Sequence, residues 1–309
     1  MIEFNPITIE TKTIFNHFLS HNIERGCETS FTNLNIWGFQ QYAIVYDQLI
    51  IFSFYNGYYF YSYPIGNGDK KQAILAIMED AKERNIDFSL TWLYGNASEE
   101  LEQLFPDKFI IESDKASFDY IYDINDLADL LGRKYHKKRT HCNKFYKTFP
   151  NYRVEPLTEN NISVIKPMIE KWYNDRLLDN PDNDYHSEQK ALEKALIHFR
   201  ELNMEGLMLL EGNDDNNIDT RIGDSHILAV TLGSPLSHDT FDVHFEKARW
   251  DVDGAYTVIN NEFARYIRDK YPNIKFLDRE EDMGLLGLRR SKESYYPHHL
   301  IEKHKASLK

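Results

Sequence analysis

Three runs of aromatic and β-branched residues follow one another between Gln41 and Ile65: QYAIVYD, QLIIFSFY and YYFYSYPI. Runs of this kind at this spacing make a strand meander, and Asn56-Gly57 between the second and third is a strong hairpin signal because both residues tolerate positive φ. The periodicity then changes. After the turn GNGDK, Ile74, Ile77, Met78 and Ala81 mark one face of a helix for which Asp69 is the expected N-cap. DFSLTWLY continues as a strand, SEELEQLF as a short helix, and FIIES with SFDYIYD as closing strands. A short amphipathic helix on Ile14, Phe15, Phe18 and Leu19 comes first, and the order thereafter reads β-β-β-α-β-α-β.

The middle of the chain is helical, through the basic segment at 132–153, then NISVIKPMIEKWYNDRLL, then SEQKALEKALIHFRELN, with Pro181 marking a break between the last two. From Glu205 the first order returns. GLMLLEG, HILAVTLGSPLS and TFDVHFEKARW read as strands, and a helix follows on Ala255, Val258, Ile259, Phe263, Tyr266 and Ile267. The strand IKFLD, a short helix through LLGLRRSKESYY and a final apolar segment HHLIEKH complete it. What repeats is the order of elements, not the residues. A meander continued by helix-linked strands makes a mixed sheet covered by helices, so the expected class is α/β (α+β) with two such sheets. The expected domains are 1–130 and 131–309.

A chain of 309 residues with 42% hydrophobic residues has enough apolar material for two cores. No run approaches the roughly 20 apolar residues a membrane helix needs, and the start carries no basic-then-apolar leader pattern. Two cysteines, Cys27 and Cys142, supply neither a disulfide framework nor a cysteine-rich zinc site, which suits a reducing, cytoplasmic setting. The net charge of -13 argues against a surface that coats nucleic acid or anionic lipid as a whole. Against that background Gly132 to Arg153, GRKYHKKRTHCNKFYKTFPNYR, holds eight Lys and Arg and no acid. It reads either as a site for an anionic partner, a phospholipid headgroup or a tRNA backbone, with Tyr135, Phe145, Tyr146 and Phe149 packing or stacking, or as charge that complements the acidic remainder.

Other candidate chemistry is more local. GNDDNNIDTRIGD, Gly212 to Asp224, lacks calcium-loop spacing and reads as a solvated hairpin loop. Cys142 beside His141 makes no dyad, because helix neighbours point about 100° apart, and the twelve histidines show no metal-ligand spacing. HFEKARWDVDGAYTVIN runs from a strand through a polar turn into a helix, with Asp253 as the expected cap and Gly254 allowing close backbone approach to a bound group. In acyl-CoA transferases this position carries a glycine-rich pyrophosphate loop, of which only one glycine is present. Alternation puts Glu246 on one strand face and Lys247 and Arg249 on the other. In FLDREEDMGLLGLRRSKESYYP, Asp278, Arg279, Glu280, Glu281 and Asp282 crowd a strand end and Arg289, Arg290 and Lys292 follow, either as a site or as a surface salt-bridge network.

YHKKRTHCNKF, HFEKA and the REEDMGLLGLRRSKESYYP tail together resemble the soluble C-terminal domain of phosphatidylglycerol lysyltransferases and its free-standing relatives, over nearly the whole chain. The resemblance implies a tandem GNAT-like acyltransferase fold, shared more distantly with Fem peptidyltransferases. It implies transfer of an aminoacyl group from a charged tRNA to an amine or hydroxyl. The matching positions are Lys137, Lys138, Arg139, His141 and Asn143; His244, Glu246 and Lys247; and Arg279 through Asp282, Gly284, Gly287, Leu288, Arg289 and Lys292. The lysyltransferases also carry a membrane flippase portion that this sequence does not show, which puts a lipid acceptor in question. The expected site lies in the second half, with Glu246 or Glu280 as base and Arg249 or the Gly254 turn stabilising an oxyanion. Aminoacyl-tRNA and acyl-CoA are the candidate donors, with no other cofactor and no metal. The alternatives are an acyl-CoA-dependent N-acetyltransferase and a non-catalytic module that holds an anionic ligand, with peripheral membrane contact open.

Overall fold

The computed structural model describes residues 1–20, 26–55, 57–179, 185–212 and 226–309. Asn56 of the expected turn, the Pro181 break and all but the first residue of the acidic 212–224 loop lie outside the described residues. In chain order the elements are β1 (Asn5–Pro6), α1 (Lys12–Leu19), α2 (Phe31–Trp37), β2 (Gln40–Val45), β3 (Gln48–Tyr55), β4 (Tyr58–Ser62), α3 (Lys70–Arg84), β5 (Ser89–Leu93), α4 (Ala97–Leu104), β6 (Phe109–Ser113), β7 (Asp119–Asp123) and α5 (Ile124–Asp129). They continue with α6 (His136–Thr148), β8 (Arg153–Pro156), α7 (Lys166–Asp179), α8 (His186–Ile197), β9 (Glu205–Leu210), β10 (Ile227–Pro235), β11 (Thr240–Ala248), α9 (Ala255–Lys270), β12 (Phe276–Asp278), α10 (Leu286–Glu293), β13 (His299–Ile301) and β14 (His304–Leu308).

The strands form two seven-stranded mixed sheets, ordered β1-β2-β3-β4-β5-β14-β6 and β13-β7-β12-β11-β10-β9-β8. The chain divides into two compact units, Met1–Tyr120 with Glu280–Arg290 and Leu300–Lys309, and Ile121–Arg279 with Ser291–His299. Two strands fall in a different sheet from the one their place in the sequence suggested. β7, read as a closing strand of the first half, pairs with β12 in the second sheet. β14, the last segment of the chain, lies between β5 and β6 in the first. A strand's alternation shows which face it buries but not which distant segment it joins, so the residues alone leave this open.

In the first unit the meander pairs antiparallel as its runs imply, β2 with β3 and β3 with β4. The chain then crosses through α3, so that β4 and β5 run parallel. Asp69 caps α3 by accepting from the Gln72 N–H at 3.0 Å, and Ala73, Ile74, Ile77 and Ala81 pack under it with Ile50, Phe52, Tyr61 and Leu90. Each buried isoleucine contributes about 1.5–3 kcal/mol. Too short for a clear apolar period, α2 is set by its ends: Ser30 accepts from the Asn33 N–H, and Gly38 closes the helix in the left-handed region at φ 69°.

A buried ion cluster ties the first unit's distant segments together. The Lys303 ammonium lies 2.7 Å from Asp119, 2.6 Å from Glu28 and 3.8 Å from Glu281. The Cys27 N–H donates to Asp119 at 2.9 Å. Burial pushes the Glu28 carboxyl up to about 7 and raises Asp119 as well, against the pull of Lys303. One ammonium thus serves several carboxyls. Nearby in sequence, Asp282 accepts from both ends of the Arg289 guanidinium at 2.7 and 2.9 Å, from the Tyr120 hydroxyl at 2.6 Å and from the Gly284 N–H at 2.8 Å. These donors, Arg289 foremost, hold its pKa down at about 2.

Lys303→Met leaves uncompensated buried carboxylates and is expected to cost about 3–5 kcal/mol in urea unfolding. Carboxyls with raised pKa values favour the fold at low pH, so part of that loss should return on lowering the pH from 8 to 5; a pH-independent loss would contradict the charge argument. Asp282 has the opposite sign. Its contribution is present above the ordinary carboxyl value of 3.8 and is lost as the pH falls through about 2. Asp282→Asn should therefore remove about 1 kcal/mol at pH 7, a figure discounted for the partly solvated Arg289, and flatten the acid limb of stability measured by circular dichroism.

Candidate active site

In the second unit β11 pairs with β12 over only three positions, Thr240 with Phe276, Phe241 with Leu277 and Asp242 with Asp278. Beyond them β11 runs on to Ala248 with no strand on that side, and side chains fill the space. Glu246 accepts from Arg279 at 3.3 Å through one oxygen and from the Asn260 amide of α9 at 3.1 Å through the other. Arg279 also donates to the Tyr256 hydroxyl at 2.6 Å, and its guanidinium carbon lies 4.9, 5.6 and 5.7 Å from the ring centroids of Tyr295, Tyr122 and Tyr256. The Glu246 and Arg279 side chains are only 7% and 5% exposed. Burial works against the Arg279 charge, but Tyr256 and Glu246 together hold its pKa above the ordinary guanidinium value. Among the described residues its Nη1 meets no acceptor.

Lys138 of α6 joins this group, its ammonium 3.4 Å from the Tyr295 centroid. Burial, and after it the neighbouring Arg279 charge, bring its pKa down to about 8. Lys292 donates its ammonium to the Arg279 carbonyl, and the Tyr122 hydroxyl donates to the Lys292 carbonyl at 2.9 Å. The centre is thus a carboxylate, a guanidinium whose Nη1 meets no acceptor among the described residues and an amine whose pKa is brought down to about 8, walled by tyrosines. Such a set can polarise a carbonyl, neutralise an oxyanion and accept a proton.

The turn ahead of α9 departs from expectation. Gly254 has φ +87°, and a Cβ there would lie 2.6 Å from the His141 carbonyl and 3.0 Å from Phe145 Cβ. The glycine admits helix α6, not a ligand. Asp253 does not cap α9; Gly254 holds the N-cap position without a side-chain bond, while Asp253 takes Lys144 and sits 3.4 Å from His141 Nδ1.

A family model described as phosphatidylglycerol lysyltransferase, C-terminal, matches residues 22–306. The chain belongs to this family. A solved structure of a conserved protein of unknown function from Bacteroides thetaiotaomicron VPI-5482 is 35% identical with TM-score 0.88, covering 100% of both chains. The C-terminal domain of a putative lysylphosphatidylglycerol synthetase from Agrobacterium fabrum has TM-score 0.66 at 10% identity, over 97% of this chain and 90% of that one. A tandem GNAT protein from the clavulanic acid biosynthesis pathway has TM-score 0.54 at 6% identity, over 99% and 98%. An uncharacterized protein of Mycoplasmoides gallisepticum is 23% identical over 193 residues, 62% of this chain and 56% of that protein, so the chain spans about half the length of this curated relative. The fold is tandem GNAT-like, and the family is one of GNAT-like aminoacyl- and acyltransferases. Among the described residues no helix is long and apolar enough to cross a membrane.

The residues that resemble the lysyltransferase domain fall into several groups. Glu246, Arg279, Lys138 and Lys292 meet in the centre just described. Lys247, on the opposite face of β11, donates to Glu188 at 2.6 Å with its ammonium 3.9 Å from the Trp172 centroid. His244 is buried, its Nε2 2.9 Å from Ser234 Oγ and its Nδ1 3.4 Å from Asp242. That trio has the residue types of a hydrolase triad, but Ser234 is fully buried. Arg249 grips Asp251 at 3.0 and 2.6 Å. Arg139 turns back to the Leu130 and Gly132 carbonyls, whereas Lys137 and Asn143 stand exposed on α6. Tyr135 and Phe145, expected to pack or stack, are wholly buried and only pack. Cys142 is buried with its thiol pushed up to about 11 by that burial. Glu280 and Arg289 belong to the first unit, where Glu280 accepts from Asn33 at 3.4 Å and has φ +57°.

Tyr256, Asn260 and Tyr295 were not singled out by sequence. One signal was present: Asn260 and Asn261 sit side by side among the core positions of α9, and both are buried. Replacing Arg279 by Gln should raise the Lys138 pKa from about 8 toward the ordinary lysine range, since a neighbouring positive charge is lost. Competitive acetylation read by mass spectrometry should show Lys138 reacting at lower pH in the native protein than in the variant, by part of the shift only, because burial, its larger cause, remains. Equal behaviour in both proteins would contradict the coupling.

Proposed function

We propose that this chain transfers an aminoacyl group from a charged tRNA to an amine or hydroxyl acceptor, at the Glu246, Arg279 and Lys138 centre. The observation that carries this reading is the closure of the space an acyl-CoA would use. Where the strands part, Arg279, Tyr256 and Tyr295 occupy the gap. The turn that would take a pyrophosphate lies against the α6 backbone at Gly254. Among the described residues, these groups stand where a pantetheine arm and its pyrophosphate would lie. An ester presented at the end of an RNA needs less: a basic outer face for phosphates and a small polar centre for one carbonyl. The exposed lysines 137, 144 and 147 of α6 supply the first.

In the reaction the acceptor attacks the ester carbonyl while Arg279 Nη1 donates to the oxygen that becomes negative. Glu246 orients the guanidinium and balances its charge, and Asn260 holds Glu246 in place by donating its amide N–H. Lys138, partly neutral near pH 8, takes the acceptor's proton. The carbon–oxygen ester bond then breaks, and the tRNA hydroxyl leaves with a proton returned from Lys138. Net, one ester is exchanged for an amide or a new ester.

Purified protein should turn over aminoacyl-tRNA and be stabilised by tRNA in a thermal-shift assay, less so as salt rises, while acyl-CoA gives neither. Rate should climb to a plateau above about pH 8, and Lys138→Ala should lose that limb with a drop of about 10²–10⁴ in kcat. Turnover of acyl-CoA, or a Lys138→Ala enzyme with the native pH profile, would sink the assignment. Binding of tRNA with no turnover under any acceptor tried would instead mark a non-catalytic module.

A further inference from the structure

Three buried polar atoms around Glu246 have no partner among the described residues: Thr231 Oγ1, Asn260 Oδ1 and Arg279 Nη1. Their residues are 0%, 2% and 6% exposed and come from β10, from α9 and from the position after β12. Thr231 stands directly opposite Glu246 in the β10–β11 register, so the two side chains share a face. Asn260 gives its amide nitrogen to one oxygen of Glu246, and Arg279 gives Nη2 to the other. One carboxylate therefore fixes the two side chains that carry the unpaired Oδ1 and Nη1. Lys138 and Tyr256 are half-buried and connect this centre with solvent.

The orientation of the Asn260 amide is forced. Turned over, it would set Oδ1 against the carboxylate, so Nδ2 faces Glu246 and Oδ1 is left to a donor from elsewhere. A buried polar group without a partner destabilises the fold, and valine at 231 would keep the shape of the threonine and remove one such group outright. Three of them about one carboxylate describe a place completed by a polar guest. Arg279 Nη1 can only donate and so asks for a carbonyl oxygen; Asn260 Oδ1 can only accept and so asks for an N–H; the Thr231 hydroxyl serves either. An aminoacyl ester carries both requirements in one small unit, because its α-amino nitrogen is joined through a single carbon to the carbonyl that reacts.

Resting on the aminoacyl-tRNA reading, we propose that Asn260 Oδ1 and Thr231 Oγ1 form a subsite for the free α-amino group of the donor while Arg279 Nη1 holds its carbonyl oxygen. Neither acceptor is charged, so the amino group is held by hydrogen bonds whether or not it is protonated. Acylation of that nitrogen brings added bulk and a carbonyl oxygen against Asn260 Oδ1, which turns an N-acylated donor away.

The test uses the full chain and bulk tRNA in three forms: charged with a labelled mixture of amino acids other than lysine, whose second amine would also react; the same preparation N-acetylated; and uncharged. Filter binding in the cold at mildly acid pH preserves the ester and needs no acceptor. Native protein is expected to bind the charged form about 5- to 150-fold more tightly than the N-acetylated form. Thr231→Val should reduce that preference several-fold while its unfolding midpoint holds or rises, and Thr231→Ser, which keeps the hydroxyl, should retain the preference. If native protein binds charged and N-acetylated tRNA alike, the orphan atoms are served by water alone, and the subsite is refuted while the tRNA reading stands. A Thr231→Val protein with the native preference and a lower unfolding midpoint would make the threonine structural and refute its role equally. If no form of tRNA binds, the aminoacyl-tRNA reading falls, and the subsite with it.

Discussion

Everything distinctive about the second unit follows from the bond between Glu246 and Arg279. A parallel strand pair that stops after three positions leaves the rest of β11 without a partner on that side, and backbone and side-chain polar groups there need satisfying by other means. An isolated buried ion pair is seldom worth its desolvation, so the pair persists only because further groups complete it. Asn260 takes the second carboxylate oxygen, Tyr256 takes a guanidinium N–H, and three tyrosine rings surround the positive charge. Through these contacts one pair aligns β11, the start of α9 and the segment that bears Tyr295.

Gly254 shows how a conformation can be kept while its use differs. A left-handed glycine at the start of a helix is what a phosphate-binding turn requires, and the same geometry equally allows another helix to approach. Here the approach is made by α6, whose His141 carbonyl lies where any side chain would collide. Space that a thioester cofactor would use becomes a helix contact, and α6 in turn brings Lys138 to Tyr295 and holds lysines on its outer face. The closed turn and the basic helix are therefore one structural choice seen from two sides.

How much of this could be read from residues depends on the range of the interaction. The meander, the Asp69 cap and the helices on Ile74 and Val258 follow from patterns a few residues long, and they appear as the periodicity implies. Sheet membership of β7 and β14 depends on partners about 150 to 220 residues away, and alternation carries no information about them. The same holds for the site. Glu246 and Arg279 stood out as charges at strand ends, but their meeting depends on the place where β11 and β12 part. Tyr256 and Asn260 were hidden in an ordinary amphipathic helix. Asp253 was misread because an aspartate before a helix is usually a cap, and nothing local announced that Lys144 would claim it.

Strand β11 gives the strongest argument that the centre works. It is buried along most of its length, yet polar Asp242, His244 and Glu246 stand among Phe241, Val243 and Phe245. A strand enclosed on both sides ordinarily becomes a continuous apolar run, because each buried polar group must be paid for with a dedicated partner. Here three positions are polar, on both sides of the register shift opposite Leu232 and Ser234, and the partners of His244 and Glu246, Ser234 and Arg279, come from separate elements. Valine or isoleucine at those positions would stabilise the sheet with no partners at all. Buried polar side chains maintained against that simpler solution, the last of them beside a guanidinium whose Nη1 meets no acceptor among the described residues, make sense as a place where stability is given up for chemistry.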